Sequence, residues 1–88
     1  MKVLFDKKAK KFIETQDTAT KQRFLKGILG LTQKPPVGDI KKLQGYTDGR
    51  LRLRVGKFRI IYRYIADETI EVLHIMDIDS RGDIYKHS

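Results

Sequence analysis

Residues 50–64 constrain the fold of this chain more than any other stretch. From Arg50 to Val55, arginine alternates with an apolar residue, and this period of two predicts a half-buried β-strand. Gly56-Lys57 comes next and matches a two-residue hairpin loop with glycine in the first position, the type II′ arrangement. Residues 58–64 are again rich in β-branched and aromatic side chains, so the sequence predicts two antiparallel strands joined by a tight turn.

The loop also fixes which residues face each other. It places Val55 opposite Phe58 and Arg54 opposite Arg59, followed in step by Leu53–Ile60, Arg52–Ile61, Leu51–Tyr62 and Arg50–Arg63. A second loop within Ala66–Thr69 predicts a third strand with the pairs Ile65–Ile70, Ile61–His74 and Arg59–Met76. One face of this meander is then apolar and carries Leu51, Leu53, Val55, Phe58, Ile60, Tyr62, Leu73 and Ile75. The opposite face carries Arg50, Arg52, Arg54, Arg59 and Arg63 beside Ile61, His74 and Met76.

The residues before the meander predict the layer that covers its apolar face. Lys2–Phe5 is a short strand candidate, and Asp6 can cap a helix whose apolar face includes Ala9, Phe12 and Ile13. The predicted fold is therefore α+β, with a short N-terminal strand and two helices packed on one face of an antiparallel meander. We expect the 88 residues to form a single domain, 1–88.

The second helix is predicted from Thr18 to Lys34 and is ended by Pro35-Pro36. Gly27 and Gly30 would each weaken it by up to about 1 kcal/mol relative to alanine, unless they permit close packing. Its apolar stripe is predicted to consist of Phe24, Leu25, Ile28 and Leu29.

Composition excludes several classes of function. The chain has no cysteine, which rules out disulfides, thiolate zinc sites and cysteine nucleophiles. Its two histidines, His74 and His87, cannot by themselves form a conventional structural metal site, and we expect no metal and no cofactor. No apolar run is long enough to cross a membrane, and the N-terminus lacks the features of a signal peptide, so we expect a cytoplasmic protein.

The positive charge is concentrated in one part of the chain. The formal net charge is +8, and residues 41–64 carry eight basic groups against one acidic group. Such a distribution favours a polyanion, an acidic protein partner, or both, although a merely solvated basic face is the alternative. Arginines directly opposite each other, Arg54–Arg59 and Arg50–Arg63, would destabilise a sheet by up to about 1 kcal/mol per pair. A fold does not need that arrangement, whereas a phosphate-binding surface does.

The C-terminal residues add further candidates. Tyr85 could stack on an unpaired base or share a proton, or it could simply anchor the tail. His74 is predicted to be structural, and His87 lies next to the terminus. The spacing of Asp77, Asp79 and Asp83 matches no metal motif, and these carboxylates are expected to hold arginines in place.

Three segments together resemble the RelE/ParE superfamily of toxin–antitoxin toxins: Lys41–Tyr46, Leu51–Tyr62 and Arg81–Tyr85. The resemblance implies a toxin that enters the ribosomal A site and cuts mRNA there, by attack of a ribose 2′-hydroxyl on its own phosphodiester without a metal. It implies that Arg59, Arg81 and Tyr85 are catalytic. Together with the basic face of the meander, it predicts RNA contacts by Arg50, Arg52, Arg54 and Arg63.

Two departures from the family pattern leave the catalytic base open, with Tyr85 as the first candidate. Relatives often carry a basic residue before the tail arginine, where this chain has Asp79-Ser80, and lysines where it has Arg52 and Arg54. The ParE branch shares the fold but is associated with inhibition of DNA gyrase, so a gyrase inhibitor without nuclease activity is the alternative function. A double-stranded-RNA-binding module fits less well, because no long C-terminal helix follows the strands.

The resemblance also implies partners. We expect a cognate antitoxin that forms a hetero-oligomer with the toxin, in addition to the ribosome and mRNA. The antitoxin should contribute an acidic, amphipathic C-terminal segment that is disordered until it binds.

Overall fold

Two helices pack on one face of a five-stranded sheet in the computed structural model, which describes residues 1–67 and 70–80. The strand order is β1-β5-β4-β3-β2; β1 runs parallel to β5, and the other neighbours are antiparallel. The elements are β1 (Lys2–Phe5), α1 (Lys7–Glu14), α2 (Thr18–Leu31), β2 (Asp39–Lys42), β3 (Leu51–Val55), β4 (Phe58–Asp67) and β5 (Ile70–Ser80). The predicted α+β fold is confirmed, and the parallel β1 makes the sheet mixed. Among the described helices, none has the length and apolar character needed to cross a membrane.

The first hairpin has the predicted register, which runs from Leu51 opposite Tyr62 to Val55 opposite Phe58. Gly56 has a φ of +59°, a left-handed conformation that glycine adopts without steric cost. The alternation of residues along β3 and β4 therefore separates the arginines from the apolar side chains as expected.

The second hairpin differs from the predicted register. Pairing extends to Asp67 and Ile70, which moves the register by two residues, and a bulge at Met76 moves it by one more. The sequence-based register assumed regular pairing and did not include the bulge, which adds a residue to one strand only. The corrected pairs are Ile65–Val72 rather than Ile65–Ile70, Ile61–Asp77 rather than Ile61–His74, and Arg59–Asp79 rather than Arg59–Met76.

Side-chain caps fix where the two helices begin. The Asp6 carboxylate accepts a hydrogen bond from the backbone N–H of Lys7 at 3.2 Å, as predicted, and Asp17 accepts one from that of Thr20 at 2.8 Å. The second helix ends at Leu31, three residues before the predicted end. The chain folds back there, because the N–H of Val37 donates to the Gly30 carbonyl at 2.9 Å.

Three phenylalanines from three elements form the centre of the aromatic packing between helices and sheet. The Phe24 and Phe58 rings meet edge to face with centroids 4.9 Å apart, and Phe12 contacts both. Such aromatic pairs contribute about 0.5–1.5 kcal/mol each beyond the burial of their area. A hydrogen bond also connects the sheet to the second helix, since the Tyr64 hydroxyl donates to the Leu31 carbonyl at 2.8 Å.

Two of the four residues predicted for the apolar stripe of the second helix are buried, and two are exposed. Phe24 and Ile28 are buried, but Leu25 and Leu29 are 51% and 63% exposed. The face toward the sheet is formed by Phe24, Ile28 and Leu31, which are spaced at i, i+4 and i+7. Leu25 and Leu29 each follow a buried residue and are rotated by about 100° from it, so they lie outside the contact.

The two helical glycines allow close approach. A Cβ on Gly30 would lie 2.6 Å from the backbone oxygen of Val37, whereas one on Gly27 would meet side-chain carbons of Val55 and Leu53 at 3.1 and 3.2 Å. Both contacts are tighter than ordinary van der Waals packing. The two glycines therefore permit close packing, which is the condition under which the helix was expected to tolerate them.

Gly30→Ala should lower the free energy of unfolding by about 1–3 kcal/mol, because the added methyl group meets backbone that cannot rotate away. Gly27→Ala is the matched control, since it has the same gain in helix propensity but faces side chains that can shift by tenths of an ångström. Urea unfolding of both variants measures the difference. A Gly30→Ala protein as stable as the control would contradict this account.

Candidate functional site

The outer face is the side of the sheet opposite the helices, and it is where the register places the arginines. Arg54 and Arg59 lie directly opposite each other on β3 and β4, as predicted. Arg63 faces His74 on β5, and Lys41 of β2 faces Arg52. The basic face expected from the alternation is therefore present, and its basic side chains come from β2, β3 and β4.

Each arginine of this face is matched by a carboxylate. Asp48 lies between Arg50, 2.9 Å away, and Arg63, 3.5 Å away. The hydrogen bond from Arg50 is the main reason why the pKa of the Asp48 carboxyl is lowered and that of the Arg50 guanidinium raised. This shared carboxylate pairs with both members of the predicted pair Arg50–Arg63 and offsets the repulsion between them.

A second shared carboxylate serves the neighbouring arginines of β3. Asp39 pairs with Arg54 in the ladder, and its oxygens lie 3.7 Å from Arg52 and 3.9 Å from Arg54. Sequence reasoning missed Asp39 because the pairing of β2 with β3 was not assigned. The like charges that alternation alone puts side by side are thus partly compensated, and the face is not a bare polycation.

Arg59 is held most firmly. Its Nε and Nη2 atoms donate to the two oxygens of Asp79 at 3.2 and 2.9 Å, a bidentate pair across β4 and β5. This hydrogen bonding is the main cause of the raised pKa of the Arg59 guanidinium. The expectation that a C-terminal aspartate holds an arginine is met by this contact.

The bulge at Met76 is what places Asp79 there. Regular continuation of the Tyr62–Ile75 pairing would put Ile78 opposite Arg59; with the extra residue, Ile78 instead pairs with Ile60 and is buried in the core. Asp77 and Asp79 are then both turned to the outer face.

A cavity of about 420 Å³ opens on the outer face in front of Arg59. The segment between β2 and β3 forms one wall through Leu43 and Tyr46, and Ile61 and Met76 lie in the sheet behind it. The Arg50 guanidinium lies 4.3 Å from the centroid of the Tyr46 ring, a cation–π contact. Sequence reasoning did not single out Tyr46, because nothing in the local pattern showed that this segment would border the basic face.

The remaining predicted residues differ in accessibility. The Arg52 side chain is only 11% exposed, and its Nη1 atom has no hydrogen-bond partner among the described residues. His74 is half-buried, and its Nδ1 also has none within that part of the chain. Arg81, Tyr85 and His87 lie outside the described residues. In residues 1–67 and 70–80, no three His, Asp or Glu side chains are grouped so as to hold a metal ion.

Solved structures of toxins share this fold. The chain is 28% identical to RelE in the archaeal RelE–RelB complex from Pyrococcus horikoshii OT3, with a TM-score of 0.71 over 92% of this chain and 94% of that one. A YoeB/ParE toxin from Agrobacterium tumefaciens is 17% identical, with a TM-score of 0.78 over 91% and 98%. The isolated E. coli RelE toxin is 21% identical, with a TM-score of 0.66 over 98% and 92%. No curated protein is significantly similar in sequence.

The fold and its relatives define a small toxin of the RelE/ParE superfamily. Residues 3–85 match the family described as the ParE toxin of the type II toxin-antitoxin system, parDE. The chain belongs to this family and is therefore a toxin of a toxin–antitoxin system, which confirms the resemblance seen in the sequence.

Asp79→Asn should increase the affinity of the outer face for a polyanion, because it removes the carboxylate that engages Arg59. Asp77→Asn is the matched control: it changes the net charge equally and also lies at the cavity, but among the described residues Asp77 pairs with Lys8, at 3.8 Å, and accepts from the backbone N–H of Ile78, whereas Asp79 forms the bidentate ion pair with Arg59. We expect the Asp79 variant to elute from heparin at higher salt than the control variant. Equal elution would show that the ion pair does not restrict Arg59.

Proposed function

We propose that this toxin is a ribosome-dependent mRNA endoribonuclease that inhibits translation by metal-independent cleavage. The observation that supports the proposal is the setting of Arg59, which a bidentate ion pair orients at a cavity on the basic outer face. A guanidinium held in this way can meet a phosphate without first losing the entropy of ordering its own side chain. A cytoplasmic location follows from a ribosomal substrate.

The ion pair with Asp79 leaves Arg59 able to bind a second anion. A guanidinium carries five N–H donors, and the two bonds to Asp79 use one on Nε and one on Nη2. The donors that remain suit the oxygens of a phosphodiester. Asp79 therefore acts as a positioning residue in this proposal, and Arg59 supplies the positive charge.

The proposed reaction is attack of a ribose 2′-oxygen on the adjacent phosphorus. A bond from that oxygen to phosphorus forms, the bond to the 5′-oxygen of the next nucleotide breaks, and a 2′,3′-cyclic phosphate is left. Arg59 and Arg81 would stabilise the charge of the phosphorane, which is greatest in the transition state. Tyr85 is the first candidate for moving the proton, since arginine is so rarely deprotonated. Arg50, Arg54 and Arg63 would bind flanking phosphates, with Arg52 behind them.

Inhibition of DNA gyrase is the second candidate function. The matched family is described by the ParE toxin, and the carboxylates Asp39, Asp48 and Asp79 offset much of the arginine charge. A surface with paired charges suits a protein partner as well as a nucleic acid.

Arg59→Ala and Arg81→Ala should each slow cleavage of a translated message by about 100- to 1,000-fold, the usual effect of losing one donor to a transition-state charge. Primer extension in a cell-free translation mixture measures the rate. Lys26→Ala is the control, because it removes one positive charge from the exposed side of the second helix. Cleavage at the wild-type rate by both soluble arginine variants would contradict the site assignment.

The cleavage products from this mixture, together with a separate gyrase assay, distinguish the two functions. A nuclease leaves a 2′,3′-cyclic phosphate or a 3′-phosphate, and a 2′-deoxy sugar at the scissile position blocks it, because that hydroxyl is the nucleophile. A gyrase inhibitor leaves the message intact and stops supercoiling of a relaxed plasmid by purified gyrase. Intact mRNA together with inhibited supercoiling would overturn the proposal in favour of the second function.

The partner proposed for this chain is a cognate antitoxin. Structurally similar toxins from Pyrococcus horikoshii, Methanococcus jannaschii and E. coli have been solved in complex with RelB antitoxins. In this chain, an apolar groove of about 420 Å³ lies where β1 meets the helices. It is lined by Val3, Leu4, Phe5, Lys10, Ile13, Glu14 and Leu25.

The groove has the chemistry that an acidic amphipathic segment requires. Leu4 and Leu25 are about half exposed, so they can be covered by apolar side chains of a partner. Lys10 lines the groove and supplies positive charge beside them, and Lys7, Lys8 and Lys11 lie on the same helix. We infer that the antitoxin segment lays its apolar face in this groove and its carboxylates along the lysines.

Leu25→Glu should speed dissociation of the antitoxin by tenfold or more, because it places a charge among the apolar contacts. Leu29→Glu is the matched control on the same helix; Leu29 is also exposed but does not line the groove. Biolayer interferometry of the complex purified from its native locus measures both rates. Association should slow as salt rises in all variants. Equal dissociation of the two variants would place the antitoxin elsewhere.

A further inference from the structure

The cavity on the outer face has features that the roles proposed for the arginines do not explain. Its lining includes the apolar side chains of Leu43, Ile61 and Met76 and the aromatic ring of Tyr46. A site for phosphate alone would need none of these. Its volume of about 420 Å³ lies in the range of small-molecule sites, and its lining combines these apolar and aromatic side chains with six charged ones.

The charges that line the cavity balance. Three are positive and three negative: Lys8, Arg50 and Arg59 against Asp6, Asp77 and Asp79. Such a lining gives an anion little net attraction into the cavity itself. It suits a neutral, planar group that stacks and forms hydrogen bonds while charged groups attached to it stay at the rim.

Tyr46 is prepared to stack on such a group. Arg50 covers one side of its ring at 4.3 Å from the centroid, and Asp48 in turn holds Arg50 at 2.9 Å. Tyr46 as a whole residue is nevertheless 51% exposed. The two contacts order this loop residue in advance, so that less conformational entropy is lost when a ligand stacks on its ring.

We propose that this cavity is a nucleobase subsite in which Tyr46 stacks on one unpaired base of the RNA. The inference rests on the proposed function, because it takes the ligand to be RNA. Arg59, at the cavity, and Arg54, directly opposite it, would then contact phosphates beside the bound base. Tyr46 is thereby a substrate-binding residue, and the position of the base stacked on it determines which phosphodiester reaches Arg59.

Binding of a fluorescein-labelled RNA hexamer to the purified toxin tests the subsite by anisotropy. Tyr46→Ala should weaken binding by about 5- to 150-fold, the range that base–aromatic stacking gives on alanine substitution. Tyr46→Phe should bind like the wild type, because it keeps the ring. Leu29→Ala is the control for an exposed apolar side chain that lies away from the cavity.

A second probe removes the bases instead of the ring. A hexamer of ribose phosphate units without bases should bind the wild type and Tyr46→Ala equally, because the lost contact is absent in both. The dependence of affinity on salt should be the same for the two proteins with the RNA hexamer, since no phosphate contact is removed. A penalty for Tyr46→Ala that persists with the base-free hexamer would overturn the subsite.

The outcomes distinguish this inference from the proposed nuclease. Tyr46-dependent binding of the RNA hexamer without cleavage during translation supports the subsite and contradicts the nuclease. Cleavage during translation with no effect of Tyr46→Ala on binding supports the nuclease and overturns the subsite. The antitoxin provides a third outcome. If Tyr46→Ala lowers the affinity for the antitoxin but leaves the affinity for the RNA hexamer unchanged, the cavity holds a protein side chain, and the subsite is overturned.

Discussion

The bulge at Met76 is the constraint on which the outer face depends. A β-strand alternates its side chains strictly, so the apolar residues of β5 can fill the core only if their spacing is even. Leu73 and Ile75 keep that spacing, but Ile78 does not, and one extra residue is needed to bring it back to the core. The same extra residue turns Asp77 and Asp79 toward the arginines. One local irregularity therefore serves both the packing of the core and the electrostatics of the opposite face.

The pairing of arginines with aspartates reconciles a basic face with a stable sheet. Unshielded guanidinium groups across a strand pair repel each other, and a small domain has little stability to spare. Shared carboxylates, Asp39 and Asp48, lower this repulsion but leave each arginine with free donors. A polyanion that binds here could replace a carboxylate as the partner of an arginine, or bind to the donors that the carboxylate leaves unused. The exposed pairs contribute little to stability on their own, about 0–1 kcal/mol, so they are easily rearranged.

Sequence reasoning succeeded where local rules act and failed where the pairing or the packing depends on distant parts of the chain. Alternation and a glycine-first loop gave the register of the first hairpin from Leu51 to Tyr62 correctly. The register of the second hairpin was wrong for two reasons: pairing extends to Asp67 and Ile70, and the bulge adds one more residue without a clear local signal in the sequence. Leu25 was predicted to face the sheet but is exposed, because periodicity shows that a helix has an apolar stripe but not which edge of that stripe contacts the sheet. The role of Tyr46 could not be read at all, because it depends on where an irregular segment crosses the sheet.

The groove and the cavity lie on either side of the start of the first helix, and this bears on how a toxin of this kind can be silenced. Phe5 and Lys10 line the groove, whereas Asp6 and Lys8 line the cavity. Residues two apart in a helix are separated by only about 3 Å along its axis but by about 200° around it, so the two openings lie at similar heights on different sides of the helix. An antitoxin segment anchored in the apolar groove would have to pass around the start of this helix to reach the cavity in front of Arg59. Under the proposed function, affinity and inhibition can come from different parts of one antitoxin peptide: the apolar part sets how long it stays bound, and an acidic part competes with RNA for the arginines.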